Sequence, residues 1–203
     1  MKKNAQEEAK RIEIEYSESL SKQTQNLSSL EKDNQQLKDK VKELEGQIAE
    51  YQTNEVDGAI YEKLFDGIQT YLNELAKENP RDIDYVAIAD GITEVNPEQL
   101  DIATAKEIYD HIKNDSFIKA SEILYDDGHD LYSARKYDEA LTLLEKSYLY
   151  DSNNVNAIYF IGRSYHQKGE LEKAATYYKI LTEDFPDSSR AREAKSRLNE
   201  IGM

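Results

Sequence analysis

The sequence predicts an all-α protein, and three observations support this fold class. No stretch shows the sustained alternation of apolar and polar residues that is typical of a β-strand. Apolar residues within 16–51 recur at alternating intervals of three and four, and a second pattern within 117–202 recurs every 34 residues. We therefore divide the chain into an N-terminal coiled-coil helix (1–55), a middle segment (56–115) and a C-terminal solenoid of helix hairpins (116–203).

The heptad pattern of the first segment predicts an oligomerisation helix. Leucine dominates the d positions and β-branched residues are frequent at the a positions, a combination that favours two parallel strands. Asn34 at an a position is best satisfied by its own copy across a parallel dimer. A parallel homodimer is therefore favoured over a trimer, and the alternative is a single amphipathic helix that folds back on the C-terminal half. The predicted seam consists of Leu27, Leu30, Asn34, Leu37, Val41, Leu44, Ile48 and Tyr51.

The middle segment is predicted to hold a degenerate helical hairpin followed by a lead-in helix. It carries three apolar stripes with helical spacing, which begin at Ile60, Ile83 and Leu100. Its charge is strongly acidic, with 14 acidic and five basic side chains. These stripes are expected to cover the open side of the C-terminal hairpins, because a single hairpin cannot bury its own apolar face.

The C-terminal segment contains two units that align with a spacing of 34 residues. Small residues recur at equivalent positions, and Pro186 closes the second unit. This pattern resembles the tetratricopeptide repeat, in which small residues let the two helices of a unit approach closely. The resemblance implies packing roles for Gly128, Ala140, Gly162, Ala174 and Pro186, with residues 188–201 as a capping helix. The first unit departs from the family pattern at Asp127, Ser147 and Ser152.

The resemblance also implies a peptide-binding groove, lined by side chains of the first helix of each unit and of the cap. Such a face is aromatic and basic, and it suits an extended or helical peptide that carries acidic groups. The alternative is that several of the tyrosines only pack against neighbouring repeats. The implied groove residues are Tyr125, His129, Tyr132, Tyr159, Arg163, His166, Arg190 and Arg197.

The composition excludes several other classes of function. The 203 residues carry a formal net charge of −15, which disfavours nucleic acid as a partner. No window is apolar enough for membrane insertion, and the absence of cysteine excludes disulfides and cysteine-ligated zinc. Asp126, His129 and Asp130 share one helical face but offer too few ligands for a closed metal site. We therefore predict no cofactor, no metal and no enzymatic activity.

These observations predict a non-catalytic scaffold that is dimerised by its coiled coil and binds a protein segment in the groove. The order of a coiled coil followed by such repeats is similar to bacterial cell-envelope proteins, among them the periplasmic coordinators linked to the Tol-Pal system. That resemblance implies a role in envelope assembly, behind an upstream anchor or signal, if the natural chain begins before residue 1; otherwise we expect a cytoplasmic protein. The competing interpretation is a structural spacer whose repeats pack against their own copies.

Overall fold

A computed structural model describes residues 22, 25, 28, 29, 32–47 and 58–202. The chain divides into two compact units, Met1–Val56 with Ile102–Ile108 and Asp57–Asp101 with Tyr109–Met203. Within the described ranges every regular element is a helix, which confirms the predicted all-α fold class. The helices are α1 (residues 32–47), α2 (Gly58–Leu75), α3 (Tyr85–Thr93), α4 (Ala103–Ser133), α5 (Tyr137–Tyr150), α6 (Val155–Gln167), α7 (Leu171–Asp184) and α8 (Ser189–Glu200).

The apolar stripe of α1 is buried within a single chain. Leu37, Val41 and Leu44 are 4 %, 6 % and 0 % exposed, and the charged residues between them face solvent. Lys40 of α1 forms an ion pair with Glu107, with 2.7 Å between Nζ and Oε2. Both partners belong to the first compact unit. A narrow apolar stripe can be covered by any apolar helix face, and here its central part is covered without a second copy.

The remaining seam positions are less informative. Asn34 is half-buried. Four other positions of the predicted seam lie outside the described residues: Leu27, Leu30, Ile48 and Tyr51. Dimerisation through this helix therefore stays a prediction, and so does the division of the chain into three domains.

Helices α2 and α3 pack against each other as a hairpin. Leu64 and Ile68 of α2 are fully buried, as is Ile92 of α3. The two helices cross at Gly67 and Gly91, where a Cβ atom added to Gly67 would lie only 2.7 Å from the carbonyl oxygen of Gly91. The crossing therefore brings the two backbones almost into contact, which only glycine permits.

Short turns that begin with proline separate these helices. One-turn 3-10 helices start at Pro80 and Pro97, and in each case the preceding asparagine accepts a backbone N–H through its side chain. The Asp84 carboxylate caps α3 in the same way by accepting from the N–H of Ala87. Such caps satisfy N–H groups that have no partner within the helix.

Helix α4 is continuous over 31 residues. It includes residue 115, where the sequence analysis separates the middle segment from the repeats. In the second compact unit, its side chains pack against the α2–α3 hairpin and against α5. The buried cluster that joins these three elements contains Ala89, Ala120, Leu124 and Tyr150.

A buried polar contact joins α4 to α5 and accounts for one departure from the repeat pattern. The hydroxyls of Ser121 and Ser147 are fully buried and lie 3.0 Å apart. Each hydroxyl also donates to the backbone carbonyl of the other serine, at 2.9 and 2.8 Å. The Asn154 amide donates to the Ser121 hydroxyl at 3.1 Å. Ser147 is therefore a satisfied polar residue in a tightly packed interface.

Helices α4 to α8 form successive antiparallel hairpins. The turn within the first hairpin places Arg135 at φ 63°, and the turn within the second places Gly169 at φ 78°. The two residues are 34 positions apart, so the repeat extends to the backbone of the turns. Asp127 is exposed, whereas Ile161, which is its equivalent in the second unit, is fully buried between repeats.

Candidate peptide-binding groove

The eight predicted groove residues lie on α4, α6 and α8 of the second compact unit. On each helix they are three, four or seven positions apart, which places them on one face. Seven of them are half-buried, and Tyr159 is buried. The structure brings these three helix faces together into one surface, which we call the groove.

Phe160, which the sequence analysis does not single out, lies at the centre of the groove. Its ring centroid is 4.5 Å from that of His129 and 5.0 Å from that of Tyr132. The Arg190 guanidinium lies 5.3 Å from the same ring. Phe160 therefore links α4 to α8. Its position three residues before Arg163 places both on one helical face, and this spacing is the signal that could have identified it.

Tyr159 is part of the repeat core. Its side chain is 2 % exposed, and its ring is 6.2 Å from that of Tyr178. Two guanidinium groups lie over the ring, that of Arg190 at 4.8 Å and that of Arg163 at 5.8 Å. The ring therefore supports the groove arginines and is not itself presented to a partner. For Tyr159, this agrees with the alternative that some of the tyrosines only pack within the repeats.

The three groove arginines are held in different ways. Arg190 donates to Asn156 at 2.7 Å and pairs with Glu193 at 3.1 Å. Arg197 pairs with Glu200 at 2.7 Å. These glutamates lie on the same helix as their arginines, three residues further on, and they partly neutralise the positive charge that the sequence predicts.

Arg163 has no such partner within the described residues. Its only hydrogen bond there is to the Tyr159 hydroxyl, at 3.3 Å, and its guanidinium lies 5.6 Å from the Tyr132 ring. Burial raises the pKa of Tyr132, while the positive charge of Arg163 acts to lower it. The tyrosine thus experiences the positive charge of Arg163, which also interacts electrostatically with Glu200 of α8.

The two ends of the groove carry opposite charge. Next to Tyr125, a polar cavity of about 440 Å³ is lined by Glu122, Asp126, Asp151 and three asparagines. Burial raises the pKa of Tyr125; Arg190 acts to lower it and Asp126 to raise it. Tyr125 therefore lies where the arginine-rich end meets the acidic end.

Small residues bring the helices beneath the groove close together. A Cβ atom added to Gly128 would lie 2.8 Å from Cγ of Leu144, and one added to Gly162 would lie 2.7 Å from Cε1 of Tyr178. Ala140 and Ala174 are fully buried on the facing helices. Pro186 is exposed, so it follows the last turn of α7 without packing between repeats. His166 completes the groove wall, with its Nδ1 atom 3.4 Å from the Tyr178 hydroxyl.

The described ranges contain no group of three His, Cys, Asp or Glu side chains arranged to hold a metal ion. None of the helices described is both long enough and apolar enough to cross a membrane.

The comparisons with known proteins support the repeat assignment. Residues 131–198 match the family model of the tetratricopeptide repeat. This segment begins near the end of α4 and ends within α8. No curated protein and no solved structure matches the chain. The match covers both small-residue positions of α5 and α7 and the groove face of α6. Together with the helical hairpins, it shows that residues 131–198 are similar to tetratricopeptide repeats.

Proposed function

We propose that the protein is a non-catalytic scaffold that binds an extended or helical segment of a partner protein in the groove. Tetratricopeptide repeats generally mediate protein–protein interactions, which supports the scaffold role. The observation that carries the proposal is the groove itself, where aromatic rings and arginines from three helices meet around Phe160. Rigid aromatic rings and arginines are the side chains that dominate binding energy at protein interfaces.

The contacts of the groove argue against a structural spacer whose own middle segment fills the groove. Arg163 and His166 are half-buried. Within the described part of the chain, their hydrogen bonds and ring contacts lie in the repeats and their electrostatic interactions extend to α8, and none of the contacts lies in the α2–α3 hairpin. In a spacer whose groove is filled by its own middle segment, the α2–α3 hairpin would contact Arg163 and His166.

The test is capture of partners from the native host with wild type and Arg163→Glu. We expect the substitution to lose the partner, because it reverses the charge at the centre of the groove. The matched control is Arg192→Glu, which makes the same charge change at an exposed residue beside the cleft between α7 and α8. Equal capture by the three proteins would place the binding site elsewhere, and loss by both variants would indicate a nonspecific charge effect.

We also propose that the heptad segment forms a parallel homodimer, which would make the scaffold bivalent. The support is the seam pattern with Asn34 at an a position. Leu37, Val41 and Leu44 are already buried within one chain, and this burial competes with the dimer. The same helix face cannot pack against its own chain and against a second copy at the same time. Bivalent binding can exceed the affinity of one groove by about 10²–10⁴-fold when the target is multivalent.

Analytical ultracentrifugation tests the dimer. Asn34→Ile is expected to raise the stability of the coiled coil and to broaden the range of oligomers, because a polar residue at an a position restricts how many helices associate. If wild type and variant are both monomeric, the seam belongs to the single chain and the dimer proposal fails.

A role in bacterial envelope assembly, which the domain order suggests, is part of the same proposal. Co-purification with envelope proteins checks it.

A further inference from the structure

Arg163 differs from the other two groove arginines because no carboxylate among the described residues lies within ion-pair distance of it, although Glu200 interacts with it electrostatically at longer range. Arg190 and Arg197 each pair with a glutamate of α8. Arg163 instead donates one hydrogen bond, to the Tyr159 hydroxyl. A guanidinium has five N–H donors, so most of the donors of Arg163 are available to a ligand.

The surroundings of Arg163 restrict its orientation. The Tyr132 and Tyr159 ring centroids lie 5.6 and 5.8 Å from its guanidinium carbon. Aromatic rings at this distance attract a cation and limit its rotamers. Because the side chain is also half-buried, part of its hydration is already lost in the free protein. An anion that arrives there meets a preorganised donor group, and arginine binds carboxylates with two parallel hydrogen bonds.

The opposite end of the groove limits how many acidic groups a partner can bring. Glu122, Asp126 and Asp151 line the cavity next to Tyr125. Like charges repel across distances up to the Debye length, which is about 8 Å at physiological salt. A polyacidic segment that lies along the whole groove would therefore place some of its carboxylates beside these three.

On this basis, and resting on the proposed function, we propose that Arg163 recognises a single carboxylate of the partner segment. The group is an aspartate or glutamate side chain, and an apolar side chain next to it in the partner packs on the exposed part of the Tyr132 ring. Arg190 and Arg197, which already have glutamate partners, are positioning residues and not anion sites. Arg190 lies over the rings of Tyr159 and Phe160, and Arg197 interacts with the Tyr159 side chain.

The probe is a displayed library of random short peptides, selected separately on wild-type protein, Arg163→Gln and Arg192→Gln. Wild type is expected to enrich one acidic position beside an apolar residue, and Arg192→Gln to enrich the same pattern. Arg163→Gln is expected to lose the acidic position. For a synthetic peptide of the wild-type consensus, replacing its acid by the matching amide should weaken binding to wild type about tenfold or more. Arg163→Lys should bind with intermediate affinity, because lysine cannot form the bidentate pair.

The outcomes separate this inference from the proposed function. If Arg163→Gln selects the same acidic consensus as wild type, or if the amide peptide binds as well as the acid, the inference fails. If Tyr132→Ala nevertheless fails to bind these peptides, the groove is still the peptide-binding site and the proposed function stands. If no selected peptide is sensitive to either substitution, both proposals fail. If a phosphoserine peptide binds more tightly than the consensus peptide with its acidic residue, the site recognises phosphate, and the proposal of a carboxylate ligand is wrong.

Discussion

Replacing Gly67 with alanine should force α2 and α3 apart. An added Cβ would lie 2.7 Å from the carbonyl oxygen of Gly91 and 2.5 Å from Cγ2 of Ile92. The oxygen belongs to the backbone of α3, and the Ile92 side chain is fully buried, so neither atom can move aside without a shift of the helix. The hairpin also covers the first repeat through Ala89, so its displacement would loosen the packing of α4.

The expected magnitude follows from two opposing effects. Inserting a methyl group into a packed core costs about 1–3 kcal/mol, and the backbone contact places this case near the upper end. Alanine gains about 1 kcal/mol over glycine in helix propensity. The free energy of unfolding should therefore fall by about 1–2 kcal/mol.

Urea unfolding followed by far-ultraviolet circular dichroism measures this change. Gly58→Ala is the matched control, because it lies on the same helix and no heavy atom lies within 4 Å of the added Cβ. Gly91→Ala should fall between the two, since its Cβ would lie 3.3 Å from Cα of Gly67. A midpoint for Gly67→Ala at or above that of wild type would refute the close approach of the two helices.

Two further substitutions test the first repeat. Arg135→Gly should raise the free energy of unfolding by about 0.5–1 kcal/mol, because Arg135 occupies a left-handed conformation that Gly169 occupies in the second repeat. Lys136→Gly, at negative φ, should not stabilise, and urea midpoints that show equal effects would contradict the reasoning. Burial and then the hydrogen bond to Asp90 raise the pKa of Tyr150, so the folded chain holds this proton more tightly than the unfolded chain. That contribution is complete below about pH 10 and is lost as the pH rises further, so the wild-type urea midpoint should fall more steeply between about pH 10 and about pH 12 than that of Tyr150→Phe; parallel curves would refute it.

Local periodicity was sufficient to predict the helices. The spacing of apolar residues indicates helices in the region of α2 and α3, and the 34-residue interval is the one that separates Gly128 from Gly162, which lie against Leu144 and Tyr178. Such features depend on which residues share one face of one helix, and sequence spacing defines that face directly. The two turns at Arg135 and Gly169 extend the same periodicity to the backbone.

The composition of the groove could be predicted, but the environment of each groove residue could not. Tyr159 and Tyr125 lie at equivalent positions of their repeats, yet only Tyr159 is buried. The Tyr159 ring packs against Tyr178 of α7 and lies beneath the guanidinium of Arg190. The pairing of the arginines is local, since Arg190 pairs with Glu193 three residues further on along α8, whereas no carboxylate lies three or four residues from Arg163.

The sequence by itself determined the helical class and the repeat spacing, because these follow from the spacing of residues along single helices. Only the tertiary structure decided which faces meet. It brought the backbones together at Gly67 and Gly91, buried the central stripe of α1 within one chain, and left Arg163 with no carboxylate within ion-pair distance among the described residues. Contacts between distant segments depend on the shapes and charges of both surfaces, and no local pattern contains both.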